Sequence, residues 1–164
     1  MCSSDLPELF TRLYDDWSTL ERFQQTRGVL RLMAQVIHAL WSGNDRAPMI
    51  MPGNVPVDDA AVATELVSNL SEVWPPIIHR DVDGEDSTPR AIDLQYPNLN
   101  QYAATRRVAR TVLLGSAPSL NSANRGIEIQ RIRLGSVLPG EQVSVFNDAL
   151  AKLVARATYL YNEG

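Results

Sequence analysis

The chain has 164 residues, of which 45% are hydrophobic, enough for one domain or for two small ones that share a core. A single cysteine, Cys2, excludes an internal disulfide framework and a zinc site built on cysteines. The single lysine, Lys152, lies between Ala151 and Leu153. The sequence therefore lacks the Gly-Lys-Ser/Thr of a phosphate-binding P-loop, which excludes a self-contained P-loop ATPase.

The net charge of −4 conceals a division along the chain. Residues 1–100 hold seven arginines against fifteen acidic residues, whereas residues 101–164 hold seven arginines and Lys152 against four. Such an asymmetry is compatible with nucleic-acid binding by the basic half. The sequence shows neither an apolar run long enough to span a membrane nor a signal peptide, so we expect a cytoplasmic protein with no membrane partner.

Apolar residues at helical spacing predict helices over residues 5–17, 18–25 and 26–41, and the third has the strongest pattern. Its apolar stripe comprises Val29, Leu32, Met33, Val36, Ile37 and Leu40. Its polar face comprises Arg27, Arg31, Gln35 and His38. This face is either an ordinary solvated surface or the source of an arginine that reaches a phosphate.

The next segments are less regular. Residues 48–53 are too short for a helix between their prolines and are predicted to be extended. Asp58 or Asp59 can cap a helix that continues to about Leu70. Residues 74–100 are rich in proline and turn-forming residues, so we expect an irregular connector between two subdomains.

The acidic segment 81–86 lies in this connector and is predicted to be a hydrated turn. A metal or acid–base site with His79 is the alternative, but the spacing of Gly84 and the absence of a distal glutamate do not match a calcium-binding loop. Ser116 lacks the glycines of a nucleophile elbow, and the two histidines have no companions at ligand spacing. We therefore expect no catalytic residues, no metal site and no enzymatic activity in this chain by itself.

Regular patterns return in the last third of the sequence. A helix is predicted over 101–116, a short helix or strand over 127–134, a turn at Pro139-Gly140, a helix over 141–157 and a strand from Tyr159. This order is that of a winged helix-turn-helix, with 141–157 as the recognition helix.

Basic residues of this region are candidates for a nucleic-acid-binding surface, because cation–phosphate contacts supply much of the affinity for nucleic acids. The candidates are Arg106, Arg107, Arg110, Arg125, Arg131, Arg133, Lys152 and Arg156. The helical spacing predicts that Arg106 and Arg110 share an outer face beside Arg107. An ordinary charged surface is the alternative explanation, and Asp148 on the recognition helix would repel phosphate.

Several stretches together resemble one protein family. They are PELFTRLYDDWSTLERFQQTRGVLRLMAQVIHALW, PMIMPGNVPVDD, DVDG, PNLNQYAATRRVARTVLLGSAP, NRGIEIQRIRLGSVLPGE and DALAKLVARATYLY. They are similar to the C-terminal part of large AAA+-superfamily ATP-binding proteins of unknown function. The genes of that family often lie beside DNA methyltransferase genes in prokaryotic defence or restriction-like clusters.

The resemblance implies a mainly α fold, with an AAA+ lid-like helical bundle over 1–75, an irregular connector over 76–100 and a winged-helix-like module over 101–164 that ends at the wing. It implies a nucleotide-sensing role for Arg31 first and Arg27 second. It also implies that the P-loop core, with its ATP and Mg²⁺, lies outside this chain, which would hold no cofactor itself. The implied partners are that core, DNA and a DNA methyltransferase-associated complex.

Two functional hypotheses follow. In the first, the chain is a non-catalytic fragment of a defence-associated AAA+ ATPase that supplies a nucleotide-sensing lid and a module that docks DNA or a partner. In the second, it is a helical protein-interaction module with no nucleic-acid role. An exposed apolar patch on the helix 141–157 or around Trp41 and Trp74 would favour the second.

Overall fold

The computed structural model describes residues 9, 13–17, 20, 26–70, 72–121 and 126–160. Eight α-helices occur between residues 26 and 156 of this part, and short helices of other types connect them. The α-helices are α1 Thr26–Ser42, α2 Ala60–Ser68, α3 Trp74–Ile77, α4 Thr88–Gln95, α5 Pro97–Asn100, α6 Ala104–Ser116, α7 Ile129–Ser136 and α8 Val143–Arg156. The described residues form no β-strand, and the predicted mainly α fold is confirmed.

Helix α6 lies at the centre of the fold. It contacts α4, α5, α7 and α8, and it also contacts the 3₁₀-helix Pro52–Asn54 and the π-helix Ile78–Asp83. Val108, Val112 and Leu113 are buried as the sequence pattern predicts, and Tyr102, just before the helix, is half-buried. Because neighbours surround α6 on nearly every side, ten of its thirteen residues are buried.

The first turn of α6 is capped by a residue from another helix. Ala103 precedes the helix in a left-handed conformation, with φ of 47°, and its methyl group cannot accept a hydrogen bond. Asp93 of α4 takes this role, because its Oδ1 accepts a hydrogen bond from the Thr105 amide at 2.9 Å and its Oδ2 accepts one from the Arg106 amide at 3.2 Å. Burial raises the pKa of the Asp93 carboxyl, although these amides and the Arg106 charge oppose the shift.

Helix α1 confirms the strongest helix prediction, with a C-terminal end one residue beyond the expected one. Val29, Leu32 and Val36 are buried against the core, as predicted. Ile37 was expected in the same stripe but lies on an exposed face, 49% accessible to solvent. The buried side of α1 is therefore narrower than the sequence pattern suggests.

Helix α2 begins where the sequence predicts. Asp59 accepts hydrogen bonds from the amides of Ala61 at 2.9 Å and Val62 at 3.1 Å, so it caps the helix. The preceding segment is not simply extended, because Pro52–Asn54 forms a buried 3₁₀-helix. Gly53 allows this close packing, since a Cβ atom there would lie 3.0 Å from the Arg107 carbonyl oxygen and 3.1 Å from that of Gly135.

Residues 74–83, 88–95 and 97–100 are helical, so the predicted irregularity of this segment is wrong. Each of α3, α4 and α5 has a proline at its first or second position, where the missing amide hydrogen is tolerated and the fixed φ favours a helix. Ile78, Val82, Ile92 and Leu99 from this segment join the same hydrophobic core as residues before and after it.

The C-terminal part consists of α7, a turn at residues 139–140 and α8. For residues 127–134 the sequence left a helix and a strand as alternatives, and the structure has a helix that begins at Ile129. Residues 158–160 do not form the strand expected from Tyr159, and residue 161 lies outside the described residues. No helix in the described part of the chain is long and apolar enough to cross a membrane.

Candidate functional site

Two of the predicted nucleic-acid-binding arginines instead bind a buried carboxylate. Asp83, the last residue of the π-helix, has a side chain that is only 1% exposed. The Nε atoms of Arg106 and Arg110 donate to its Oδ1 and Oδ2 at 2.7 and 2.5 Å. Asp58 accepts a further hydrogen bond from each guanidinium, both at 3.1 Å. These four side chains, the Asp83 cluster, carry two positive and two negative charges.

The Asp83 cluster corrects the predicted position of these arginines. Arg106 and Arg110 do share a face of α6, but the π-helix and Asp58 cover it, leaving the side chains 23% and 12% exposed. Burial alone would lower the pKa of Arg106, but the hydrogen bond and charge of Asp83, together with the charges of Asp58 and Asp93, outweigh that effect, so its pKa is raised. Because the carboxylates balance both charges, the cluster attracts phosphate weakly.

Arg107 lies on the buried side of α6. Its Nη1 donates to Glu141 Oε1 at 2.8 Å, and its guanidinium carbon lies 4.8 Å from the centre of the Phe146 ring. Glu141 Oε2 accepts a hydrogen bond from the Leu138 amide at 2.7 Å. This arginine therefore joins α6 to the loop before α8 and to α8 itself.

Arg131, Arg156 and Lys152 also contact polar or aromatic groups of the protein itself. Arg131 forms an ion pair with Asp16 at 3.0 Å, and Arg156 Nη1 donates to Gln95 Oε1 at 2.6 Å. Lys152 forms an ion pair with Asp148 of the same helix and lies 4.6 Å from the centre of the Tyr96 ring.

Arg133 and Arg125 complete the set of basic candidates. Arg133 is exposed, and its Nε donates to Asn147 Oδ1 at 2.9 Å. It forms no ion pair within the described residues. Arg125 lies outside the residues that the structure describes. Among the residues that the structure describes, the basic candidates thus do not come together into one exposed cluster.

The two predicted nucleotide-sensing residues lie on the solvent side of α1. Arg31 is 61% exposed and forms an ion pair with Glu65 of α2 at 3.1 Å. Arg27, one turn earlier, is exposed and has no ion-pair partner among the described residues. Both guanidinium groups remain accessible to a ligand.

The acidic segment 81–86 is a hydrated turn only at its end, where Glu85 and Asp86 form an exposed turn, whereas its first part is helical and buried. Asp81 and Asp83 are buried in the π-helix. Asp81 Oδ2 accepts hydrogen bonds from the Thr158 and Tyr159 amides at 2.8 and 2.7 Å, and so binds the chain after α8 to the π-helix. In the described ranges, no group of three or more histidine, cysteine or acidic residues can hold a metal ion.

Asp81 also borders a concave surface of the described structure. A groove of about 760 Å³ lies between α3 and the π-helix on one side and α7 and α8 on the other, with the C-terminal half of α6 at its base. We call it the α6–α8 groove. Its apolar lining includes Trp74, Ile77, Val112, Ile127, Leu150 and Val154.

Polar groups border the α6–α8 groove at a few points. Arg133 and Asn147 form a hydrogen-bonded pair at one edge, and Asp81 and Tyr159 lie at another. The wall near Ile127 depends on Gly115, because a Cβ atom at position 115 would lie 2.4 Å from Ile127 Cδ1. A mainly apolar cavity with a few fixed polar groups is the usual form of a binding site.

Sequence reasoning did not find the α6–α8 groove. Leu150 and Val154 carry helical periodicity, which predicts burial in a core and does not distinguish a core from a groove wall. The one partial signal is Trp74, a large aromatic residue before two prolines, because an exposed apolar patch around it would favour protein binding.

Comparison with known proteins gives no relative. No family model, curated protein or solved structure matches this chain. The resemblance to AAA+ proteins therefore remains a hypothesis that rests on the sequence motifs alone.

Proposed function

We propose that this chain is a helical protein-interaction module whose α6–α8 groove binds an apolar segment of a partner protein. The groove itself is the observation that carries the proposal: about 760 Å³ of space with a mainly apolar lining, open between four helical elements. When a partner covers apolar surface that is accessible to water in the folded protein, the free energy of the system decreases, which favours binding.

The form of the groove favours a helical segment as the ligand. Its long walls are helices, α8 on one side and the α3–π-helix pair on the other, and grooves between helices commonly accept the apolar face of an amphipathic helix. Arg133 lies at one edge of the groove and forms no ion pair in the described part of the chain. An acidic residue beside the apolar face of the ligand would form an ion pair with it.

Peptide selection tests the proposal, since it does not require the natural partner to be identified. A random 12-residue peptide library is selected on the wild-type chain and the enriched peptides are measured by fluorescence anisotropy. We expect amphipathic sequences with an acidic residue. Ala151 lines the groove and is exposed, so Ala151→Glu should weaken their binding about tenfold or more by placing a charge against apolar surface.

Ala155→Glu is the matched control, because Ala155 is an exposed alanine on the same helix that does not line the groove. Peptides that bind the two variants equally contradict the proposal. A small apolar ligand is the competing occupant. In that case the fluorescent dye anilinonaphthalene sulfonate binds with one-to-one saturation, and no selected peptide displaces it.

The AAA+ fragment hypothesis is a second candidate function. The exposure of Arg27 and Arg31 on one side of α1 supports it, because a sensor arginine must reach the phosphates of a nucleotide held by another part of the protein. In this hypothesis α1 and α2 are lid helices, and residues 101–164 are a winged-helix-like docking module. The test is the coding sequence before Met1: without an in-frame P-loop there, the candidate fails.

A further inference from the structure

Helix α1 has an exposed apolar stripe that neither the core nor the α6–α8 groove uses. Leu30, Ile37 and Trp41 are 60%, 49% and 85% exposed, and Ala34 between them is exposed as well. Their spacing of four, three and four residues aligns all four side chains along one face. We call these residues the α1 stripe.

The α1 stripe has the pattern of a helix-pairing seam. Apolar residues that alternate between spacings of three and four form the contact line between two packed helices. Val29, Leu32 and Val36 already bury a different face of α1 against the core, so the stripe is additional apolar surface. A tryptophan that is 85% exposed on a rigid helix points to a contact with another molecule.

The order of the residues fits a second copy of the same helix in the antiparallel direction. The spacing of four, three and four is identical when read backwards, so Leu30 faces Trp41 of the partner subunit and Ala34 faces Ile37 of the partner subunit. Each pair sets a smaller side chain against a larger one, which lets the helices approach closely.

Charges at the two ends of α1 agree with this register. Arg27 is exposed one turn before the stripe, and Asp45 is exposed just after the helix ends. One oxygen of Asp45 accepts a hydrogen bond from the Ala47 amide at 2.7 Å. In the antiparallel register Arg27 lies beside Asp45 of the partner subunit, twice per dimer. A parallel pair would instead place Arg27 beside Arg27 of the partner subunit.

We infer that the α1 stripe is a self-association surface, through which two copies of this chain pair antiparallel with Arg27–Asp45 contacts at both ends. The partner is a second copy of this chain. The stripe and the α6–α8 groove share no residue, so the pairing uses none of the residues that line the groove. Four side chains per subunit form a small interface, so the dissociation constant is about 10 µM or weaker.

Sedimentation velocity from about 1 to 500 µM protein tests this inference. We expect a concentration-dependent dimer for the wild-type chain. Trp41→Glu should raise the dissociation constant about tenfold or more, because it removes the largest side chain of the contact. Leu94→Glu is the matched control: Leu94 is 68% exposed on α4, outside the stripe, and its replacement leaves dimerisation unchanged.

Charge reversal tests the direction of the pair. Arg27→Asp alone and Asp45→Arg alone each bring like charges together in the antiparallel dimer, and each should weaken it about tenfold. An equimolar mixture of these two variants restores opposite charges at both ends and should dimerise like the wild type. All of the substituted positions are exposed, and circular dichroism confirms that each variant is folded.

Each result decides the inference. A wild-type chain that stays monomeric at about 500 µM overturns it, and so does a dimer that Trp41→Glu leaves unchanged. A dimer that requires Trp41 but does not respond to either charge reversal overturns the antiparallel register. Weakening by each single reversal, together with recovery in the mixture, establishes the pair as described.

Discussion

Replacement of Asp83 by asparagine tests whether the Asp83 cluster stabilises the fold. The variant keeps the size of the side chain but removes its charge. Its amide NH₂ group then faces the guanidinium of either Arg106 or Arg110, which places two hydrogen-bond donors against each other. Loss of one partner from a buried ion pair reduces the free energy of unfolding by about 3–5 kcal/mol. Because the guanidinium groups are partly exposed and Asp58 still binds them, we expect about 2–4 kcal/mol.

Asp58→Asn is the matched control. Asp58 binds the same two arginines, but its side chain is 47% exposed, so water replaces the lost contacts and the expected loss is about 1 kcal/mol or less. Urea denaturation followed by tryptophan fluorescence measures both variants. For a chain of this size, the loss for Asp83→Asn corresponds to a decrease in Tm of about 5–15 °C. If Asp83→Asn loses no more stability than Asp58→Asn, the cluster does not hold α6 to the π-helix.

Three further predictions follow from the same structure. Gly84→Ala places a Cβ atom 2.1 Å from the His79 carbonyl oxygen, and neither atom can move without moving the backbone. Urea denaturation should therefore show that the free energy of unfolding falls by about 3 kcal/mol or more. Glu85→Ala, at an exposed neighbouring position, should have little effect. Burial raises the pKa of the Asp93 carboxyl, so the folded state binds the carboxyl proton more tightly than the unfolded state does. The contribution of Asp93 to the free energy of unfolding therefore decreases as the pH rises above 3.8. Urea denaturations between about pH 3.5 and 6 should show this decrease for the wild type but not for Asp93→Asn. Arg106→Glu should reduce the free energy of unfolding by about 2 kcal/mol or more, because it removes a partner of Asp83. Anisotropy titrations at several salt concentrations should show no change in binding to duplex DNA. A salt-dependent loss of DNA binding at an unchanged Tm would instead support a phosphate-binding role for Arg106.

The helices with the longest periodic patterns were predictable from the sequence. Helices α1, α6 and α8 begin and end within a few residues of their expected limits, because a long amphipathic pattern determines them. Residues 74–100 were not predictable in this way. Their prolines suggest helix breaks, but these prolines lie in first turns, and only the tertiary contacts of Ile78 and Ile92 show that short helices form there.

The burial of Asp81 and Asp83 in the acidic segment depends on residues far away in the sequence. Asp81 binds the Thr158 and Tyr159 amides, and Asp83 binds Arg106 and Arg110. No local pattern contains these partners, so the composition of the segment favoured a solvated turn. The predicted shared face of Arg106 and Arg110 was correct as helix geometry, while the element that covers it was not visible in the sequence.

The division between an acidic first part and a basic second part acquires a different meaning in three dimensions. Asp58 and Asp83 from the first part neutralise Arg106 and Arg110 from the second, and Asp16 pairs with Arg131. Charges that are separated along the chain are therefore adjacent in the fold, and their fields largely cancel at the distance of an approaching ligand. Because these paired charges largely neutralise one another, both binding proposals rest on the accessible apolar surfaces of the α6–α8 groove and the α1 stripe.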